Sequence, residues 1–146
     1  LSPINFLKND KNISDQEKLE VYLGGFKSLI DNLIENDKNV YIIYPIPEIV
    51  YPIDKYIFNN TILESKKIKK FGPSVQYYMS RNDFIIDFIE KNKNEKIKKI
   101  TTIDLFSDKK NIKIINENGA LYFDNNHVNL TGASILADKI IKVAYE

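Results

Sequence analysis

With 146 residues and 43% hydrophobic side chains, the chain has material for one core and one domain. Its 21 basic and 20 acidic residues leave a formal net charge of +1, which argues against a dedicated nucleic-acid binder. The absence of cysteine removes disulfides, thiol catalysis and thiolate metal sites together, and leaves the compartment open. Lysines cluster at 64–70 and 91–99; the plain reading is solvated helix ends or loops, the minority reading an anionic partner such as a phosphate-bearing glycan or a membrane surface. No signal peptide is visible. No apolar run approaches the roughly 20 residues of a membrane span; the longest candidate, 40–51, carries Pro45, Pro47 and Glu48. The first residue is Leu1 and not methionine, so a fragment or processed product is expected.

In chain order, Ser14 and Glu17 form an S-x-x-E capping box. Behind it Leu19, Tyr22, Leu23, Phe26, Leu29, Ile30, Leu33 and Ile34 recur at steps of three and four, which predicts a helix to about 35. Gly24 and Gly25 weaken that helix, and close packing is the expected reason for them. The run 39–44 is apolar and aromatic without polar alternation, which predicts a strand buried on both faces. Pro45 and Pro47 stop it, and a loop to about 73 follows. A second helix is expected over 74–91, burying Met79, Phe84, Ile85, Phe88 and Ile89, then a strand over 100–106. Residues 114–123 read as a hairpin or a loop and strand, with Asn118-Gly119 as the turn dipeptide. Asn129 caps a last helix over 130–144, with Leu130, Ala133, Leu136, Ala137, Ile140 and Ile141 on its apolar face.

Helices alternating with buried strands imply an α/β fold with a parallel sheet. Two strong strands cannot make a stable open sheet, so either weaker strands are present or part of the sheet lies outside this chain. No repeat, zinc spacing, phosphate loop or dinucleotide fingerprint occurs.

The only histidine, His127, stands three residues after Asp124 on the loop before the last helix. In α/β folds such connections at the carboxyl ends of strands collect functional side chains. An imidazole can take a proton from a hydroxyl and return it, and a neighbouring carboxylate fixes its tautomer. The three-residue spacing permits that pairing without demanding it, and an exposed or helix-capping histidine satisfies the same pattern.

The whole block Y122-F-D-N-N-H-V-N-L-T-G-A133, followed by an amphipathic helix, resembles the last block of SGNH hydrolases. It is most similar to the SGNH domains fused behind acyltransferase-3 membrane domains in bacterial polysaccharide O-acetyltransferases. The strand and Pro-x-Pro-Glu turn of 40–49, and the Tyr-x-x-Arg-Asn stretch of 78–82, are similar to earlier blocks of that family. Arg81 is the only arginine of the chain; it reads as a helix salt-bridge partner first and a substrate contact second.

The resemblance implies a three-layer flavodoxin-like SGNH sheet, incomplete here, with residues 1–146 forming a single domain or its carboxyl-terminal portion. It implies that Asp124 orients His127 and that His127 activates a serine. The family's Gly-Asp-Ser-type motif is not found: Ser2, Ser14, Ser28, Ser65, Ser74, Ser80, Ser107 and Ser134 all lack its strand-then-turn context. The nucleophile is therefore expected upstream, together with the missing strands and the oxyanion-hole blocks, and the chain alone is expected to be inert. The family's frequent cysteine pair is also absent. The implied activity is serine-dependent acetylation of a cell-envelope polysaccharide on the extracytoplasmic side of a bacterial membrane. No metal or cofactor is implied; an acetyl donor such as acetyl-CoA would be served through the membrane domain. The partners implied are a glycan acceptor and the upstream acyltransferase-3 domain, with no nucleic acid. An SGNH-type esterase, or a non-catalytic glycan-binding or scaffold module rich in its nine tyrosines, are the alternatives.

Overall fold

Ser14 opens the first helix as its sequence predicts. In the computed structural model, which describes residues 14–58 and 71–145, the Ser14 hydroxyl accepts from Glu17 N at 3.2 Å. The Glu17 carboxylate in turn takes Ser14 N at 2.8 Å. The helix α1 (Asp15–Glu35) ends where Asp37 adopts a φ of 60° and Lys38 N returns to Leu33 O.

The strand β1 (Val40–Ile43) follows, then a turn held by Pro45 and Pro47, and the short helix α2 (Ile53–Phe58) in the stretch expected as loop. β2 (Phe71–Ser74) leads into α3 (Val75–Lys91), whose cap is the Ser74 hydroxyl accepting from Tyr77 N. β3 (Ile97–Ile100), β4 (Asn111–Lys113), β5 (Ile115–Asn116), β6 (Gly119–Ala120) and α4 (Leu130–Tyr145) complete the order.

β1 and β3 pair in parallel, with Val40 opposite Ile97 and Ile43 opposite Ile100; this is the α/β nucleus. β2 pairs antiparallel with β4, and β5 with β6, so the described strands form three two-stranded ladders and no complete sheet. One core gathers Ile30 of α1, Val40, Ile42 and Tyr44 at β1, and Ile85 and Ile89 of α3, which places both helices on one face of β1. The second core joins Ile49, Tyr78, Phe106, Ile112, Ile114, Leu121 and Tyr122 beneath the turns, with Ile135 of α4 against it.

Several expectations change. β1 is not buried on both faces: Tyr41 and Ile43, which the pleat turns away from α1 and α3, are 39% and 41% exposed. The strand expected over 100–106 runs over 97–100 instead. Leu105 N and Phe106 N turn back to Thr102 O, and the Thr101 hydroxyl donates to Asp104. These local bonds compete with extension. The lysine-rich segment 91–99 is accordingly a helix end, a turn and β3. Lys96 pairs with Asp37 and Lys99 with Glu90, so those ammonium groups leave the strand's apolar positions free. The cluster at 64–70 lies outside the described residues.

The helix faces are also less covered than their periodicity suggests. Only Ile30 of α1 is fully buried, and in α3 Tyr78, Ile85 and Ile89 are buried while Met79 is exposed. α4 packs against β3 and β6, yet Leu130 is 90% and Ile141 56% exposed. The close packing expected at Gly24 and Gly25 is absent, for a Cβ on either would meet nothing within 4 Å. The hairpin is present, with Glu117 and Asn118 between its strands and Gly119 at φ 117°, a backbone region costly for any other residue.

Candidate active site

The loop carrying Asp124 and His127 is built between β6 and α4. Tyr122 and Val128 form an isolated antiparallel bridge, and Phe123 N donates to His127 O at 2.8 Å, which closes residues 123–127 into a tight turn. Asp124 is the centre of that turn. Its Oδ1 accepts Asn126 N at 2.9 Å and His127 N at 2.7 Å, and its Oδ2 stands 2.7 Å from His127 Nδ1. A sequence spacing that only permits pairing is thus converted into pairing by the aspartate's own side-chain turn.

The chemistry of this arrangement is directional. The backbone N–H of Asn126, then the imidazole, hold the Asp124 carboxyl down to about 2, so it is an acceptor at any ordinary pH. An ionised acceptor requires the proton on Nδ1, which leaves the lone pair on Nε2. The His127 side chain is 71% exposed, so that lone pair is accessible to a proton donor.

The platform beneath is rigid. Asn129, the α4 cap, accepts Thr131 N and Gly132 N on Oδ1 and donates from Nδ2 to Ala120 O at 2.8 Å. Gly132 permits the close approach, since a Cβ there would stand 2.4 Å from Leu121 O. The Tyr122 hydroxyl, buried and pushed up by that burial, donates to Pro47 O at 2.8 Å, and Ile49 N donates to Asn125 O. The Pro45–Pro47 turn at the carboxyl end of β1 is therefore fastened to the histidine loop, and both stand at one edge of the parallel pair. Beside His127 lies an open groove of about 550 Å³, lined by Phe123, Val128, Asn129, Leu130, Thr131 and Ala133.

A family model for the SGNH domain (fused to AT3 domains) matches residues 4–142. The chain belongs to that family. No curated protein and no solved structure matches it significantly. As an SGNH domain it is a module of the hydrolase and acyltransferase type, in a family whose members are joined to acyltransferase-3 domains. No helix among the described residues is long and apolar enough to cross a membrane, and no His, Cys, Asp and Glu cluster among them could hold a metal ion.

Of the residues singled out in the sequence, Asp124 and His127 are brought together, and no serine among the described residues is hydrogen-bonded to either. Ser14 and Ser74 cap helices, Ser80 donates to Tyr77 O, and Ser107 is buried at a bridge; Ser2 and Ser65 lie outside the described residues. The ion pair of Arg81 does not run along its own helix. Its Nη2 meets Glu48 Oε2 at 2.8 Å, across to the Pro45–Pro47 turn, and its guanidinium lies over the Tyr77 ring at 5.8 Å. Nothing in the sequence singles out Tyr77 by itself, although its spacing of four from Arg81 on a helix is the signal that joins them.

Proposed function

We propose that this SGNH domain is the carboxyl-terminal part of a serine-dependent O-acyltransferase that acetylates a cell-envelope polysaccharide on the extracytoplasmic side. The observation that carries the reading is the Asp124–His127 pair. The carboxylate takes Nδ1 and two backbone N–H groups, so the imidazole is held with Nε2 presented outward. A segment N-terminal to the described residues supplies the serine. Nε2 takes the serine proton as its oxygen bonds the acyl carbon of the donor, and returns that proton to the leaving group. In the second half, Nε2 takes the proton of a sugar hydroxyl, the sugar oxygen bonds the acyl carbon, and the serine leaves with the proton. The apolar wall of Phe123, Val128 and Leu130 beside the ring suits a small acyl group. An acetyl donor such as acetyl-CoA is served through the membrane domain, and no metal takes part. Water in place of the sugar hydroxyl makes the same machinery an esterase.

The test is a His127→Ala substitution in the full-length protein, with O-acetyl groups on the polysaccharide measured at equal protein level. Acetylation is expected to vanish. Unchanged acetylation would make the domain a scaffold or glycan-binding module, and a product released as free acetate alone would make it an esterase.

A further inference from the structure

The turn from Pro45 to Ile49 is held from three sides. Pro45 O accepts the Tyr78 hydroxyl at 3.0 Å and the Thr102 hydroxyl at 2.6 Å, Pro47 O accepts Tyr122, and Ile49 N donates to Asn125 O. Two prolines fix its backbone further. Yet the one long polar side chain on this turn, Glu48, is not used to hold it. Glu48 reaches outward to Arg81, and both side chains remain partly exposed, at 34% and 44%.

Arg81 is the single arginine beside twenty lysines, and it sits where planarity matters. Its guanidinium meets a carboxylate and lies over the ring of Tyr77, itself exposed. An ammonium group could do neither in the same way. The turn that carries Glu48 is bonded directly to the histidine loop. Ile49 N is bonded to Asn125 O, so the Cα atoms of Glu48 and Asn125 lie within about 8 Å by standard backbone dimensions.

A carboxylate, a guanidinium fork and an exposed ring, rigidly mounted, match a sugar. The carboxylate accepts from hydroxyls, the guanidinium donates to their oxygens, and the ring covers a C–H face. The two charges cancel, which disfavours an anionic ligand and leaves a neutral one. We propose that Glu48, Arg81 and Tyr77 form the acceptor subsite, binding a neutral sugar of the glycan next to the hydroxyl that receives the acyl group. This rests on the reading that His127 drives transfer to a sugar.

The experiment measures two reactions of the full-length protein: acetyl transfer to its own polysaccharide after chemical de-O-acetylation, and hydrolysis of p-nitrophenyl acetate, which needs no sugar. Arg81→Lys and Glu48→Gln are compared with the parent and with His127→Ala. For both variants KM for the polysaccharide is expected to rise about tenfold or more, as for lost hydrogen bonds to charged groups. Their ester hydrolysis should stay within about twofold of the parent, and the parent's KM should be nearly insensitive to salt. An unchanged KM overturns the subsite. An equal fall in transfer and hydrolysis also overturns it, since the pair would then support the fold and not the acceptor. A KM that climbs steeply with salt overturns the neutral-sugar assignment. Should His127→Ala leave both reactions untouched, the catalytic reading itself fails, a result that the Arg81 and Glu48 variants cannot produce by themselves.

Discussion

The distinction between an aspartate that holds a turn and one that orients a base can be made with a single atom. In Asp124→Asn, the amide oxygen still accepts Asn126 N and His127 N, so the turn of 123–127 survives. The amide nitrogen, however, now faces His127 Nδ1 as a donor, which forces the imidazole proton onto Nε2 and removes the base. Acetyl transfer should fall about a thousandfold or more, with thermal stability little changed; equal loss of both would assign Asp124 a structural role only. The same carboxyl has a pH signature. Its value drops from the ordinary 3.8 to about 2 on folding, so its support of the turn is complete above the unfolded value and is lost as pH falls through about 2. A carboxyl carbon titration by NMR should find a midpoint near 2, and a midpoint near 4 would mean that the hydrogen bonds are not formed in solution. Activity lost in milder acid than this belongs to another group.

At the scale of the elements, two glycine positions make opposite predictions from the same chemistry. A Cβ on Gly132 would press on Leu121 O at 2.4 Å and on Val128 Cβ at 2.9 Å, so Gly132→Ala must push the start of α4 away from the strand end that carries Tyr122. A cost of about 1–3 kcal/mol is expected. Gly24→Ala meets open space in mid-helix and should gain about 0.5–1 kcal/mol. Urea denaturation of the two variants decides, and shifts of the same sign would count against the packing described. The contrast also marks how much was legible in the sequence. The Ser14–Glu17 capping box, the Asn129 cap and the apolar periods locate α1, α3 and α4, because each is set by neighbours within four residues. The sequence pattern sets β3 too late, because lysines whose ammonium groups pair elsewhere conceal a strand and because Thr101, Thr102 and Asp104 make their own turn. In the site, the Asp124–His127 pair is local and was readable. Glu48 and Arg81, 33 positions apart, meet only through the Tyr78 and Tyr122 hydroxyls that fasten the turn, and no spacing encodes that.

Among the described residues one edge of β1 is left unpaired. Val40 N donates to Lys96 O and Tyr44 N to Ile100 O, so the parity of a parallel strand sends the amides of 40, 42 and 44 toward β3. Those of Tyr41 and Ile43 point to the other edge, where no strand pairs among the described residues. Apolar side chains are also left in water: Tyr41 and Ile43 are about two-fifths exposed on one face of β1, and Leu130, Ala133, Ala137, Ile141 and Tyr145 form an exposed apolar stripe on α4 at helical spacing. Parallel strands are stable when paired and covered, so on the proposed reading the free edge of β1 is where a strand accompanying the serine segment is expected to pair. Hydrogen exchange reads the difference directly. In the chain by itself the Tyr41 and Ile43 amides should exchange fast while Ile42, turned toward β3, is protected; in the full-length protein all three should be slow. Ile43→Lys extends the test: it should be tolerated by the chain alone, where the side chain is already half in water, and should cost the full-length protein both that protection and its acetyl transfer. Equal exchange in the two forms would mean that the edge stays open and that the serine reaches His127 from another direction.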